Sequence, residues 1–152
     1  MGQLFSSNKQ QGCTFCSIVE NDSKKIIART ETVVVFRDRS PASAHHLLAC
    51  PVEHIKTVKN LKSAHASLVD EIWKEGLKAL TSETGFSEDR LGDDVLVGFH
   101  YPPLISVDHL HLHLIYPKAD VPLRSKFKYR HDSFFFRHPQ QILKNLKSRI
   151  CD

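Results

Sequence analysis

His109-Leu110-His111-Leu112-His113-Leu114-Ile115 alternates imidazole with aliphatic side chains and no interruption. Successive side chains of an extended chain point to opposite faces, so the three histidines share one face and the leucines the other. A helix would turn each successive histidine by about 200°, scattering the histidines and breaking the leucine stripe. The segment therefore reads as a strand with one face in a core and a row of imidazoles opposite. Imidazoles on alternate residues stand about 7 Å apart, and partial protonation near neutral pH would set like charges side by side. Anion binding or metal ligation relieves that repulsion.

Upstream of this strand, Val95-Leu96-Val97 has strand character, and so do Ile26-Ile27-Ala28, Val33 to Phe36 and His46 to Cys50, separated by turn-forming residues. Between the two groups the period changes. Leu68, Val69, Ile72, Trp73, Gly76, Leu77 and Leu80 recur every three or four residues, with Ser63 as a candidate N-cap and Gly85 just past the end. This predicts one long helix, and Gln140 to Ile150 predicts a closing one. About five strands with a helix inserted among them make an α+β domain. Residues 1–12 are polar and aperiodic and read as a flexible arm, leaving residues 13–152 as a single domain.

Composition supports this division. At 152 residues the chain fits one domain, and 41% hydrophobic with 25% charged residues is close to a soluble average. The longest aliphatic and aromatic run, Val33 to Phe36, is far short of a membrane span, and no apolar signal-peptide core is visible, so a cytoplasmic or nuclear protein is expected. Charge is uneven: residues 1–117 carry net −2 and residues 118–152 net +6. The basic tail also carries Phe127, Tyr129 and Phe134-Phe135-Phe136, rings that can stack on bases or pack as core.

Cys13 and Cys16 form a Cys-x-x-Cys pair, read as metal ligands or redox thiols. Two histidines beside them would complete a tetrahedral Cys2His2 zinc set, and His45, His46 and His54 are available outside the alternating strand. Cys50, among apolar residues, reads as packing, and Cys151 as an incidental terminal thiol.

The His-x-His-x-His run resembles the signature of the histidine triad (HIT) superfamily of nucleotidyl hydrolases and transferases. Cys13-Thr-Phe-Cys16, Val35-Phe36-Arg-Asp38-Arg-Ser-Pro41, His45-His46-Leu-Leu, Pro51-Val-Glu-His54 and Gly98-Phe-His-Tyr-Pro-Pro-Leu-Ile-Ser106 match it in order and spacing. His45-His46, Gly98-Phe99-His100 and Lys128-Tyr129-Arg130-His131-Asp132-Ser133-Phe134 are most similar to its histidine triad nucleotide-binding protein 3 branch, and aprataxins share several of these features. The zinc finger that follows the aprataxin domain is not expected in this chain, since only Cys151 follows the triad.

The resemblance implies a HIT-like antiparallel sheet and a hydrolase acting on AMP-containing purine nucleotides, adenosine 5′-phosphoramidates or acyl-adenylates. By motif position His111 is the nucleophile at the α-phosphorus, His113 bonds the phosphate oxygens, His46 orients groups around His111, and Ser106 assists the leaving group. Asp38 matches the acceptor for the ribose hydroxyls, Phe15, Ile18 and Phe36 an apolar slot for the base, and His100 a further nucleotide contact in this branch. Gly98 stands where relatives often have asparagine, and Arg39 replaces the usual aliphatic residue beside Asp38. Cys13, Cys16, His54 and His109 would hold a structural zinc, with no organic cofactor.

Two other readings stay open: removal of AMP from adenylated DNA or RNA ends, as in aprataxins, for which the basic tail speaks, and a non-catalytic nucleotide-sensing or scaffold module. Relatives pair as homodimers through the long helix and a central strand, and the apolar breadth of Leu68 to Leu80 permits this. Met1-Gly2-Gln3-Leu4-Phe5-Ser6 fits the N-myristoylation pattern. A single acyl chain at Gly2 would give weak, reversible membrane contact.

Overall fold

The structure is a computed structural model that describes residues 10–130 and 133–149. Gly2 and most of the arm, His131, Asp132 and Cys151 lie outside the described residues. One antiparallel sheet organises the chain. In chain order the elements are α1 (Thr14–Asn21), β1 (Ile26–Arg29), β2 (Val33–Arg37), β3 (His45–Pro51), α2 (Ala66–Thr84), α3 (Leu91–Asp94), β4 (Leu96–His100), β5 (Leu112–Tyr116), α4 (Leu123–Lys126), β6 (Phe136–Arg137) and α5 (Pro139–Ser148). The strands lie in the order β1-β2-β3-β5-β4-β6.

The alternation in the sequence sorts the two faces as expected. Val33, Val35, Leu47, Ala49, Val97, Leu112 and Leu114 pack into one core with Val69, Ile72 and Leu80 of α2. Burying a Leu or Val side chain contributes roughly 1.5–3 kcal/mol, so this face supplies much of the drive to fold. Gly76 lets α2 sit close on the sheet: a Cβ there would lie 2.8 Å from Leu114 Cδ1. On the opposite face Phe15, Val34, Phe36 and Leu48 form a second cluster, and Leu96, Ile115, Tyr129 and Phe136 a third. Among the described residues no helix is long and apolar enough to cross a membrane.

The antiparallel α+β architecture is as expected, the tail adding a strand to the sheet, and two details are corrected, the start of the triad strand and the N-cap of the long helix. The sheet has six strands, because Phe136–Arg137 of the tail pairs with Phe99 and His100 as β6. The triad strand begins only at Leu112: His109 lies in the bend before it, its N–H donating to the Val107 carbonyl at 2.9 Å, and His111 immediately precedes the strand. Ser63 is not the N-cap of the long helix: a 3-10 turn, Ser63–His65, precedes α2, and the Lys62 N–H donates to His65 Nδ1. Gly85 does end α2, at a left-handed φ of 68°. The closing helix spans Pro139–Ser148, with His138 accepting from the Gln140 N–H as its cap. Helix α1 has no counterpart in the sequence reading, since two turns carry too few residues to establish a period.

Candidate active site

The second face of the sheet holds a cleft of about 1410 Å³ between α1, the end of β2, the loop 103–107 and the start of the basic tail. Phe15, Ile18, Phe36, Asp38, His100, Ser106, His111 and His113 all line it, so the structure brings together eight sequence-selected residues from five separate segments. Phe15 meets Phe36 edge-on at 5.1 Å and His111 at 5.1 Å, which places the apolar slot against the triad.

His111 precedes β5, and its Nδ1–H donates to the carbonyl of His109 at 2.6 Å. That bond fixes the tautomer and leaves the lone pair on Nε2. Burial lowers the His111 pKa, so the ring stays neutral at physiological pH.

His113 lies on β5 opposite Leu48 of β3 and Gly98 of β4. Its Nδ1 is 2.9 Å from His46 Nε2 and its Nε2 is 3.0 Å from His100 Nδ1. Both ring nitrogens are thus engaged within the protein, where the resemblance expected them to face phosphate. His46 correspondingly bonds His113 rather than His111, with Asp38 Oδ2 at 3.5 Å. Burial pushes His46 and His100 down to about 4 and His113 well below its ordinary value. Asp38 Oδ1 accepts from the Ser40 N–H at 2.7 Å.

Two groups of side chains have metal-like spacing, Cys13/Cys16/His54/His109 and Asp38/His46/His113. Tautomers separate them. His109 Nε2–H donates to the Pro51 carbonyl at 2.9 Å, so its Nδ1 lone pair faces Cys13 and Cys16 Sγ, each at 3.5 Å. His54 Nδ1 lies 3.3 Å from Cys16 Sγ. Tetrahedral zinc with ordinary bond lengths sets S and N about 3.6 Å apart, so these four donors have the edge lengths of a Cys2His2 site. In the second group, the Ala42 N–H donates to His46 Nδ1 at 3.0 Å. His46 Nε2 must then carry the proton and has no lone pair for a metal.

Sequence reasoning missed Lys128 and Tyr129 as part of the cleft wall. The Lys128 carbonyl accepts from His100 Nε2 at 2.8 Å, and Tyr129 packs its ring on His46, His100 and His113. Burial, then Asp38, raises the Tyr129 hydroxyl to about 12. Their only sequence signal is their place in the motif after the triad, since a main-chain carbonyl leaves no trace in composition. The tail rings divide: Tyr129 and Phe136 are buried, whereas Phe127 and Phe134 are 70% and 78% exposed.

Such a sheet, with a histidine alternation opening on a cleft, defines a histidine triad protein. Residues 12–128 match the family described as scavenger mRNA decapping enzyme C-term binding. The mouse adenosine 5′-monophosphoramidase HINT3 is 33% identical over 149 residues, covering 96% of this chain and 88% of that protein. The Arabidopsis thaliana bifunctional adenosine 5′-phosphosulfate phosphorylase/adenylylsulfatase HINT4 is 38% identical over 123 residues, covering 79% and 80%. The crystal structure of a HIT family hydrolase from Legionella pneumophila superposes with a TM-score of 0.59 at 27% identity, over 68% of this chain and 90% of that one. The chain belongs to the histidine triad family of nucleotide hydrolases.

Proposed function

We propose that this chain hydrolyses adenosine 5′-phosphoramidates to AMP through a nucleotidyl-His111 intermediate. One observation carries the reading: the His109 carbonyl takes the Nδ1 proton of His111, leaving a neutral, unprotonated Nε2 on a ring that lines the cleft. Nε2 attacks the α-phosphorus and the P–N bond breaks. The departing nitrogen takes up a proton drawn from solvent, with Ser106 beside it as hydrogen-bonding hydroxyl. Water then attacks the same phosphorus, releasing AMP and restoring His111. Covalent catalysis of this kind divides one hard displacement into two easier ones. An acyl-adenylate fits the same chemistry, with a carboxylate as leaving group.

Asp38 accepts from the ribose hydroxyls, and Phe15, Ile18 and Phe36 enclose the base. Cys13, Cys16, His54 and His109 hold a structural zinc that ties α1 to the triad segment. The experiment is a quenched single turnover of an adenosine phosphoramidate with intact-mass detection, wild type against His111→Ala. An adduct that forms and decays only in the wild type supports the reading. Full turnover by His111→Ala overturns it, and AMP binding without an adduct moves the assignment to the sensing module.

The exposed Phe127 and Phe134, near Arg124, Lys126 and Arg130 in sequence, favour a second reading, removal of AMP from adenylated nucleic-acid ends. Binding to nicked DNA that weakens steeply with salt would support it. A two-fold dimer through α2 and a central strand has to form around α5, which packs on α2, and β6, which pairs with β4. The mass of the full chain in solution tests it, and mass spectrometry of the native protein tests acylation at Gly2.

A further inference from the structure

His46, His113 and His100 form a row of hydrogen bonds that is closed at both ends by main-chain groups of fixed polarity. At one end the Ala42 N–H can only donate, so His46 Nδ1 must accept at 3.0 Å. At the other the Lys128 carbonyl can only accept, so His100 Nε2 must donate at 2.8 Å. A neutral imidazole carries one donor and one acceptor. His46 therefore donates through Nε2 to His113 Nδ1 at 2.9 Å, and His113 donates through Nε2 to His100 Nδ1 at 3.0 Å. One proton arrangement satisfies every position, with all three rings neutral and protonated on Nε2. A fourth proton has no lone pair to occupy without breaking a bond.

Geometry keeps the row together. The His100 and His113 rings meet at 4.6 Å, and His46 and His113 at 5.2 Å. Tyr129 lies against all three, and Phe136 against His100 and His113. His111 packs its ring on His113, at 4.8 Å between centroids.

We propose that His100, anchored by the Lys128 carbonyl, is a positioning residue that fixes His113 as its Nε2–H tautomer and keeps both of its ring nitrogens away from the substrate. His113 then serves as an oriented, uncharged wall beside His111. The basic tail acquires a role in the site through its main chain, independent of the charge on Lys128. This rests on the reading of His111 as nucleophile only for its effect on rate, since the tautomer is a property of the resting protein.

The experiment reads imidazole ¹⁵N–¹H long-range correlations of the full chain alongside steady-state kinetics. In the wild type, His113 is expected as a single Nε2–H tautomer; an Nδ1–H pattern overturns the proposal without any variant. His100→Asn keeps an acceptor near the Nδ1 position, and His100→Gln keeps a donor near Nε2 but removes that acceptor. His100→Asn is expected to retain the His113 tautomer and a kcat within about threefold. His100→Gln should give mixed tautomers and a kcat lower by about tenfold at near-constant KM, as small displacements beside a reacting group commonly do. An unchanged tautomer and kcat in His100→Gln overturns the proposal. So does a raised KM in both variants with the tautomer intact, which would make His100 a direct nucleotide contact. Absence of a His111 adduct would defeat the functional reading and leave the tautomer result standing.

Discussion

Gly98 on β4 lies directly beneath the ring of Phe136 on β6: a Cβ added at residue 98 would stand 2.5 Å from both Cε1 and Cζ of that ring. The space a side chain at residue 98 would need is filled by an aromatic ring from the tail. Ring and glycine form one unit.

Gly98→Ala is therefore expected to overpack this contact, at a cost of roughly 1–3 kcal/mol, or about 2–12 °C in Tm for a domain of this size. Phe136→Leu should relieve part of that loss when combined with it. Thermal unfolding of the four proteins in the cycle measures the coupling, and additive effects would refute the contact.

The metal reading predicts that the purified chain carries one zinc ion, lost in Cys16→Ser. Removal by a chelator should lower stability on the order of 3 kcal/mol, or about 6–12 °C. Elemental analysis with parallel melting curves decides it. Equal Tm with and without metal would leave the four donors without a structural task.

Acid should destabilise the fold through the buried histidines. His46 and His100 are held down to about 4, against an ordinary 6.5. Between those values the unfolded chain takes up protons that the folded chain refuses, so stability is full above about pH 6.5 and declines as pH falls towards 4. Urea midpoints measured at about pH 7 and pH 5 should show the drop; a flat profile would mean these rings protonate freely in the folded state.

Asp38→Asn tests the ribose contact. Charge-assisted hydrogen bonds contribute about 1.5–3 kcal/mol, so KM for the phosphoramidate should rise by roughly ten- to a hundredfold. Because Asp38 also lies 3.5 Å from His46, the kcat is the telling quantity. A change within about threefold assigns Asp38 to binding, whereas a collapse of kcat at constant KM would assign it to the histidines.

The triad strand, the long helix with Gly85 at its end and the gathering of Phe36, Asp38 and Ser106 around His111 were legible in the sequence, because periodicity and motif order report on side chains. The hydrogen-bond partners were not. His113 is tied to His46 and His100 by tautomers that main-chain groups at Ala42 and Lys128 impose, and no residue type encodes a carbonyl's direction. β6 escaped for a different reason: two residues, Phe136 and Arg137, are too few to show alternation, and only the fit of a ring over Gly98 reveals why they pair there.

The return of the chain after the triad has a consequence for how such a protein can be shortened or lengthened. A version ending at Pro117 would keep every motif histidine and the whole zinc-type cluster. It would also expose the edge of β4 and the cavity above Gly98, and would leave the His100 Nε2–H without its acceptor. Three losses in different currencies, edge pairing, packing and proton order, would arrive with one stop codon. The tail is therefore a structural part of the histidine face, and a domain cut at the motif boundary would lose support on that face.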